Sequence, residues 1–181
     1  MKNLFSFLGF ILLAACFTSC DVVHFNKYPG VMQDSIPEGF RGEFVMDFKK
    51  AEKDSSEAIT IFIGKNSYTV IEKEAVEIKF LNDSIVFSKL GKDYYLSEKQ
   101  NNFWAVNFLS IDGNNLKVYL LEVDGKDKKT KLKILKKYFT NVKVQQIENR
   151  PTFLADMNEE KIQKYISKEL NKKGVTLKRV E

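Results

Sequence analysis

A single histidine, His24, stands in 181 residues, and the two cysteines, Cys16 and Cys20, both fall within the first twenty. A zinc site needs several histidine, cysteine or carboxylate ligands converging on one point, and nucleophilic catalysis needs a base beside its nucleophile. His24 has no second histidine, cysteine or carboxylate cluster near it in sequence, so it is expected to be a solvated residue. No glycine-rich phosphate loop and no metal-ligand spacing is present. Asp112-Gly113-Asn114 and Asp124-Gly125-Lys126-Asp127 carry part of a calcium-loop spacing without the downstream bidentate glutamate, and are expected to be turns. The 24 acidic residues fall at expected strand exteriors and turns, where solvation accounts for them. The chain is therefore not expected to be an enzyme, and no metal or cofactor is expected.

Proline and glycine are also scarce, at 3 and 9, whereas 15 Phe and 7 Tyr bring the aromatic content to 13%. That balance points to half-buried strands and excludes disorder over most of the length. The formal charge is +5, of which Lys2 contributes one. Both signs are interleaved along the chain, a pattern that favours solubility and weak attraction to anionic surfaces and carries no nucleic-acid signature.

Long apolar runs are missing except at the start. Lys2 is followed by an apolar run from Leu4 to Leu13, broken by Ser6 and Gly9, and then by small residues. That run is about half the ~20 residues needed to span a bilayer, so it reads as a processed leader rather than a membrane helix. Leu13-Ala14-Ala15-Cys16 and, more loosely, Phe17-Thr18-Ser19-Cys20 resemble the lipobox of bacterial lipoproteins. The resemblance implies a thioether-linked lipid on one of these cysteines and cleavage just before it. Pattern favours Cys16. Against it, an acylated Cys16 would leave Cys20 as an unpaired thiol in an oxidising compartment, whereas an acylated Cys20 leaves no other cysteine in the mature chain. Cys20 is preferred, with Cys16 as the alternative. The division expected is a leader at 1–19, a tether at 20–38 containing Tyr28-Pro29-Gly30 and Ile36-Pro37, and one domain at 39–181.

From Gly39 onward short runs of period two alternate with polar turns. Strands are predicted at Gly42 to Phe48, Glu57 to Ile63, Ser67 to Ile71, Ile85 to Lys89, Tyr94 to Glu98, Phe103 to Ile111, Leu116 to Val123, Lys131 to Phe139 and Val142 to Ile147. Ile59, Ile61 and Ile63 share one face of their strand, and Val76, Ile78 and Phe80 repeat the same in-and-out rhythm against Glu77 and Lys79. Short connections mean antiparallel neighbours, and no long helical crossover is present to build a parallel sheet. One amphipathic helix is predicted over about 156–173. Asp156 and Glu159 form a capping box, and Ile162, Tyr165, Ile166 and Leu170 make one apolar face. Val175 to Val180 returns as a terminal strand.

The fold class is thus mainly β: an antiparallel up-and-down meander, one C-terminal amphipathic helix and a short final strand. This order resembles the lipocalin-like barrels. Gly39-Phe40-Arg41-Gly42-Glu43-Phe44 is similar to the glycine-x-aromatic start of that superfamily, but has Phe44 where tryptophan is usual. The whole pattern is also similar to the small lipoproteins of Bacteroidetes-type bacteria. These resemblances imply a cell-envelope protein, at the periplasmic face or the outer membrane, anchored to the membrane by its N-terminal lipid. An eight-stranded barrel either fills its interior with side chains or holds one small molecule. The expected function is accordingly a non-catalytic binding module for a small apolar ligand. The alternative is a filled barrel that contacts another envelope protein through its outer face. Lys131, Lys133 and Lys137 would share one strand face opposite Leu132 and Ile134, a candidate surface for docking anionic headgroups.

Overall fold

Apolar side chains at every second position make most of this chain strand, and the computed structural model pairs those strands into one curled sheet. It describes residues 21–47, 58–72, 75–147, 150–170 and 174–180; the leader, Cys16 and Cys20 lie outside the described residues. The strands are β1 (Asp21–Phe25), β2 (Val31–Met32), β3 (Gly42–Asp47), β4 (Ala58–Ile63), β5 (Ser67–Glu72), β6 (Ala75–Phe80), β7 (Ile85–Leu90), β8 (Asp93–Gln100), β9 (Phe103–Asp112), β10 (Asn115–Leu120), β11 (Glu122–Val123), β12 (Thr140–Ile147), β13 (Arg150–Asp156) and β14 (Val175–Arg179). The helices are α1 (Lys128–Leu135) and α2 (Glu159–Tyr165), the second running on into a π-helical turn, Ile166–Leu170.

Hydrogen-bonded neighbours follow the order β6-β5-β4-β3-β14-β10-β9-β8-β7, all antiparallel, and β2 adds to β7. Because β6 and β7 are consecutive in sequence, the two ends of this path come back to one turn. The sheet therefore curls into a half-barrel, consistent with the lipocalin-like architecture. Backbone pairing between its ends is confined, among the described residues, to an isolated bridge between Asn82 and Ile85.

β9 is where the sheet forks. One edge of β9 carries β8; the other carries β10 along Asn107 to Asp112 and then β1 at Trp104 and Ala105. Beyond β1 lie β13, which runs parallel to it, and β12. Alternation along β9 then feeds two cores. Trp104 and Val106 pack with Val23, Phe25, Tyr95, Phe153 and the helical residues Leu135, Ile162 and Tyr165; Leu109, on the other face, packs with Phe44, Ile61, Phe87, Leu116 and Leu177 inside the half-barrel. In the first core the Tyr165 ring meets Tyr138 and Phe139, each at 5.2 Å between centroids and edge-on, and its hydroxyl donates to the Glu122 carbonyl at 2.5 Å. Such aromatic pairs add about 0.5–1.5 kcal/mol beyond their area.

Several sequence expectations fail here. The tether expected at 20–38 does not form: from Asp21 onward the segment belongs to the folded sheet. β1 is a central strand, and the stretch after it crosses from β7 to the β4–β5 turn, with Gln33 N–H donating to the Phe87 carbonyl and Ile36 N–H to the Lys65 carbonyl, both at 2.8 Å. Ile36 and Phe40 are carried into the interior, where Phe40 lies 4.9 Å from the Tyr94 ring centroid. Gly30 permits this path. Its φ is +73°, and a Cβ there would stand 2.2 Å from the Lys89 carbonyl oxygen. The parallel β1–β13 pair also departs from the expected all-antiparallel sheet.

Lys131 to Phe139 is not a strand: most of it is α1, whose cap Asp127 accepts from Thr130 N–H at 2.8 Å. The run KLKILKK satisfies both periods, since Leu132 and Leu135 also fall one helical turn apart, and the Asp127 cap with straight-chain lysines favours the helix. The cap of the last helix falls two residues later than predicted. It is Asn158, which accepts from Lys161 N–H at 3.1 Å, whereas Asp156 ends β13, a strand the sequence did not reveal.

His24, expected in solvent, is 7% exposed on β1. Its Nε2 lies 2.9 Å from Gln100 Oε1, and Nδ1 has no hydrogen-bond partner among the described residues. Burial lowers its pKa against the smaller opposite effect of the Gln100 contact, so the fold holds the neutral ring. The unfolded chain binds the proton more readily, so stability present above about pH 6.5 is lost as pH falls toward the lowered folded value. His24→Gln is expected to flatten this response: the fall in Tm between pH 7.5 and pH 5 should be smaller in the variant than in the wild type, and equal falls would contradict it.

Candidate functional site

β6 is built inside out relative to its neighbours. On β4 and β5 the interior takes Ile59, Ile61, Tyr68 and Val70. On β6 the interior positions are Glu77 and Lys79, while Val76, Ile78 and Phe80 point outward and are 61%, 57% and 62% exposed. Period two fixes which residues share a face but leaves open which face is the inner one. The exposed row continues onto β4 through Phe62, linked by register to Thr69 and then Ile78.

The buried charges form one cluster beneath that strand. Lys79 Nζ donates to both carboxylate oxygens of Glu98, on β8, at 2.9 Å each, and lies 3.6 Å from Glu77 Oε1. The Tyr68 hydroxyl donates to the same Glu98 Oε1. Burial, then the neighbouring Glu98 charge, raise the Tyr68 pKa well above the usual tyrosine range, so the phenol stays protonated as a donor. Glu77 Oε2 is buried without a hydrogen-bond partner among the described residues. The cluster thus ties β6 to β8 across the gap where backbone pairing fails. It borders an open cleft of about 360 Å³, lined by Glu77, Lys79, Asn82, Ser84, Glu98 and Lys99. A second open cleft, of about 500 Å³, is lined by Phe103 of β9 and by residues of the paired strands β12 and β13.

The backbone of β6 completes the site. Leu81 N–H donates to the Asn66 carbonyl, and with the Lys79↔Tyr68 and Glu77↔Val70 register this turns the N–H and C=O groups of Glu77 and Lys79 toward β5. Those of Val76, Ile78 and Phe80 then face away from β5, toward the open side. In keeping with this, the Phe80 carbonyl accepts from the Asn82 side chain at 3.0 Å.

The lysines singled out in sequence do not form the expected surface. Lys131 and Lys133 are on α1 and Lys137 is in the turn after it. Lys131 and Lys133, two residues apart on a helix, are separated by roughly 200° around its axis, and Lys137 lies beyond its end, so a single three-lysine face opposite Leu132 and Ile134 is not formed. Among the described residues no group of three or more histidine, cysteine or carboxylate side chains is placed to hold a metal, and no helix is long and apolar enough to cross a membrane. No protein-family model, curated protein or solved structure matches this chain.

Removing one member of a buried ion pair leaves the other unpaired and costs about 3–5 kcal/mol, whereas replacing the whole group by apolar side chains is often neutral. Glu98→Ala is therefore expected to lower unfolding stability by about 3–5 kcal/mol in urea titrations. The triple variant Tyr68→Phe, Lys79→Met, Glu98→Met should recover most of that loss; a triple variant no more stable than Glu98→Ala would contradict the cluster's reading as a self-contained structural tie.

Proposed function

We propose that this chain is a lipid-anchored lipoprotein of the cell envelope, at the periplasmic face or outer membrane, that acts as a non-catalytic interaction protein. The outer face and open edge of β4–β6 meet another envelope component. The observation that carries this reading is the contrast between the two sides of the sheet. Inside, Phe44, Phe87, Leu116 and Leu177 are each at most 2% exposed and occupy the space a small apolar ligand would need. Outside, Val76, Ile78 and Phe80 form an exposed apolar row along β6, and Phe62 is exposed on the same face two strands away, across Thr69. Apolar patches of this kind on a folded surface mark contact sites. The same contrast favours the filled-barrel alternative over the small-ligand module.

The leader and lipobox pattern support the anchor. If Cys20 bears the lipid, β1 begins at the very next residue. The folded sheet is then held directly against the bilayer rather than on a flexible arm, which restricts the partners it meets to those at the membrane surface.

A photo-reactive amino acid at Phe80, with Lys178 on the polar outer face of β14 as control, tests this in intact source cells. An adduct of discrete mass from the Phe80 probe alone, sedimenting with membranes, is the expected result. No adduct at Phe80, equal labelling from both positions, or recovery of the chain in the soluble fraction would overturn the reading.

A further inference from the structure

The β6 edge carries more than exposed apolar surface: its sequence is complementary to itself. Ala75-Val76-Glu77-Ile78-Lys79-Phe80, paired antiparallel with a second copy about Ile78, sets Ile78 opposite Ile78, Val76 opposite Phe80 and Glu77 opposite Lys79. We infer that β6 pairs with β6 of a second copy of this chain, joining two half-barrels into one continuous sheet about a two-fold axis at Ile78. This rests on the interaction reading above and names its partner.

Four observations converge on that pairing. The backbone groups facing the open side belong to Val76, Ile78 and Phe80, the residues that would exchange hydrogen bonds about an axis at Ile78. Their side chains are 57–62% exposed, and cross-strand neighbours at about 5 Å would cover one another. Glu77 Oε2 is buried without a hydrogen-bond partner among the described residues, and the partner's Lys79 would arrive on the same face, directly across. Finally, the usual protection of an edge strand fails here. An inward lysine normally discourages an incoming strand, but Lys79 is already held by Glu98 and Glu77.

Symmetry selects the second copy over an unrelated strand. An isologous contact requires that where residue i meets j, j meets i, and the five residues from Val76 to Phe80, with a hydrophobe at the centre, opposite charges on either side and hydrophobes beyond them, meet that condition. The contact is small for a protein interface, so membrane anchoring, which raises local concentration, is what makes it form.

Cysteine placement reads the register directly. In full-length protein in native membranes, a short bis-maleimide should link Ile78→Cys chains into a band at twice the chain mass. Val76→Cys alone should link poorly, because its two copies sit four residues apart along the strand, about 13 Å. Co-expressed Val76→Cys and Phe80→Cys chains should link to each other. Wild type and Lys178→Cys supply the background. No band above background from Ile78→Cys overturns self-pairing, as does equal linking by Val76→Cys alone. If the Phe80 photo-probe still yields an adduct of a different mass, the interaction reading stands and the partner is another protein. If that probe yields none, the interaction reading falls as well.

Discussion

β9 is buried on both faces, and the rest of the molecule is arranged around that constraint. A strand with one wet face can close a sheet; a strand with none must be covered twice. Trp104 and Val106 require the layer built from β1, β13, α1 and α2, while Leu109 requires the interior of the half-barrel. The fork at β9 follows from the same need. β10 leaves the edge of β9 after Asn107, and β1 takes over at Ala105, so the edge stays paired while two different layers form. A half-barrel alone would leave the convex side of β7–β9 bare, and the aromatic cluster around Tyr165 covers it.

Opposite this doubly covered spine lies the least finished part of the sheet. Among the described residues β6 pairs on one side only, and its contact with β8 runs through side chains: Lys79 onto Glu98, with Tyr68 of β5 donating to the same carboxylate. A buried ion pair contributes little net stability but fixes geometry, since any arrangement that separates the charges leaves one of them desolvated and alone. The cluster therefore sets how far the half-barrel opens. By drawing Glu77 and Lys79 inward it also turns Val76, Ile78 and Phe80 out. The apolar outer row and the buried charges are two faces of one strand, so the surface proposed for contact and the tie that positions it cannot be altered independently.

Much of this was legible in the residues. The run from β3 to β10 announced itself through period two and its polar turns, and the terminal helix through Ile162, Tyr165, Ile166 and Leu170. What was hidden has physical reasons. β1 is five residues followed closely by Tyr28-Pro29-Gly30, local chemistry that reads as a linker, and its burial comes from β9 and β13, both remote in sequence. Parallel pairing with β13 has no local signature at all. The lysine-rich run at α1 fits strand and helix alike until the Asp127 cap decides it. At the site the alternation on β6 was visible, but its sense was not: that depends on Glu98, nineteen residues beyond Lys79.

The central claim is that covering is complete at β9 and, among the described residues, absent along one edge of β6. Amide hydrogen exchange at protein concentrations low enough to keep the chain monomeric measures both at once. Amides of Trp104 to Leu109 should exchange only through global unfolding, and those of Val76 and Ile78 through local opening, far faster. Equal, global-limit protection of the two strands would mean that the sheet is closed at β6 and would contradict the account.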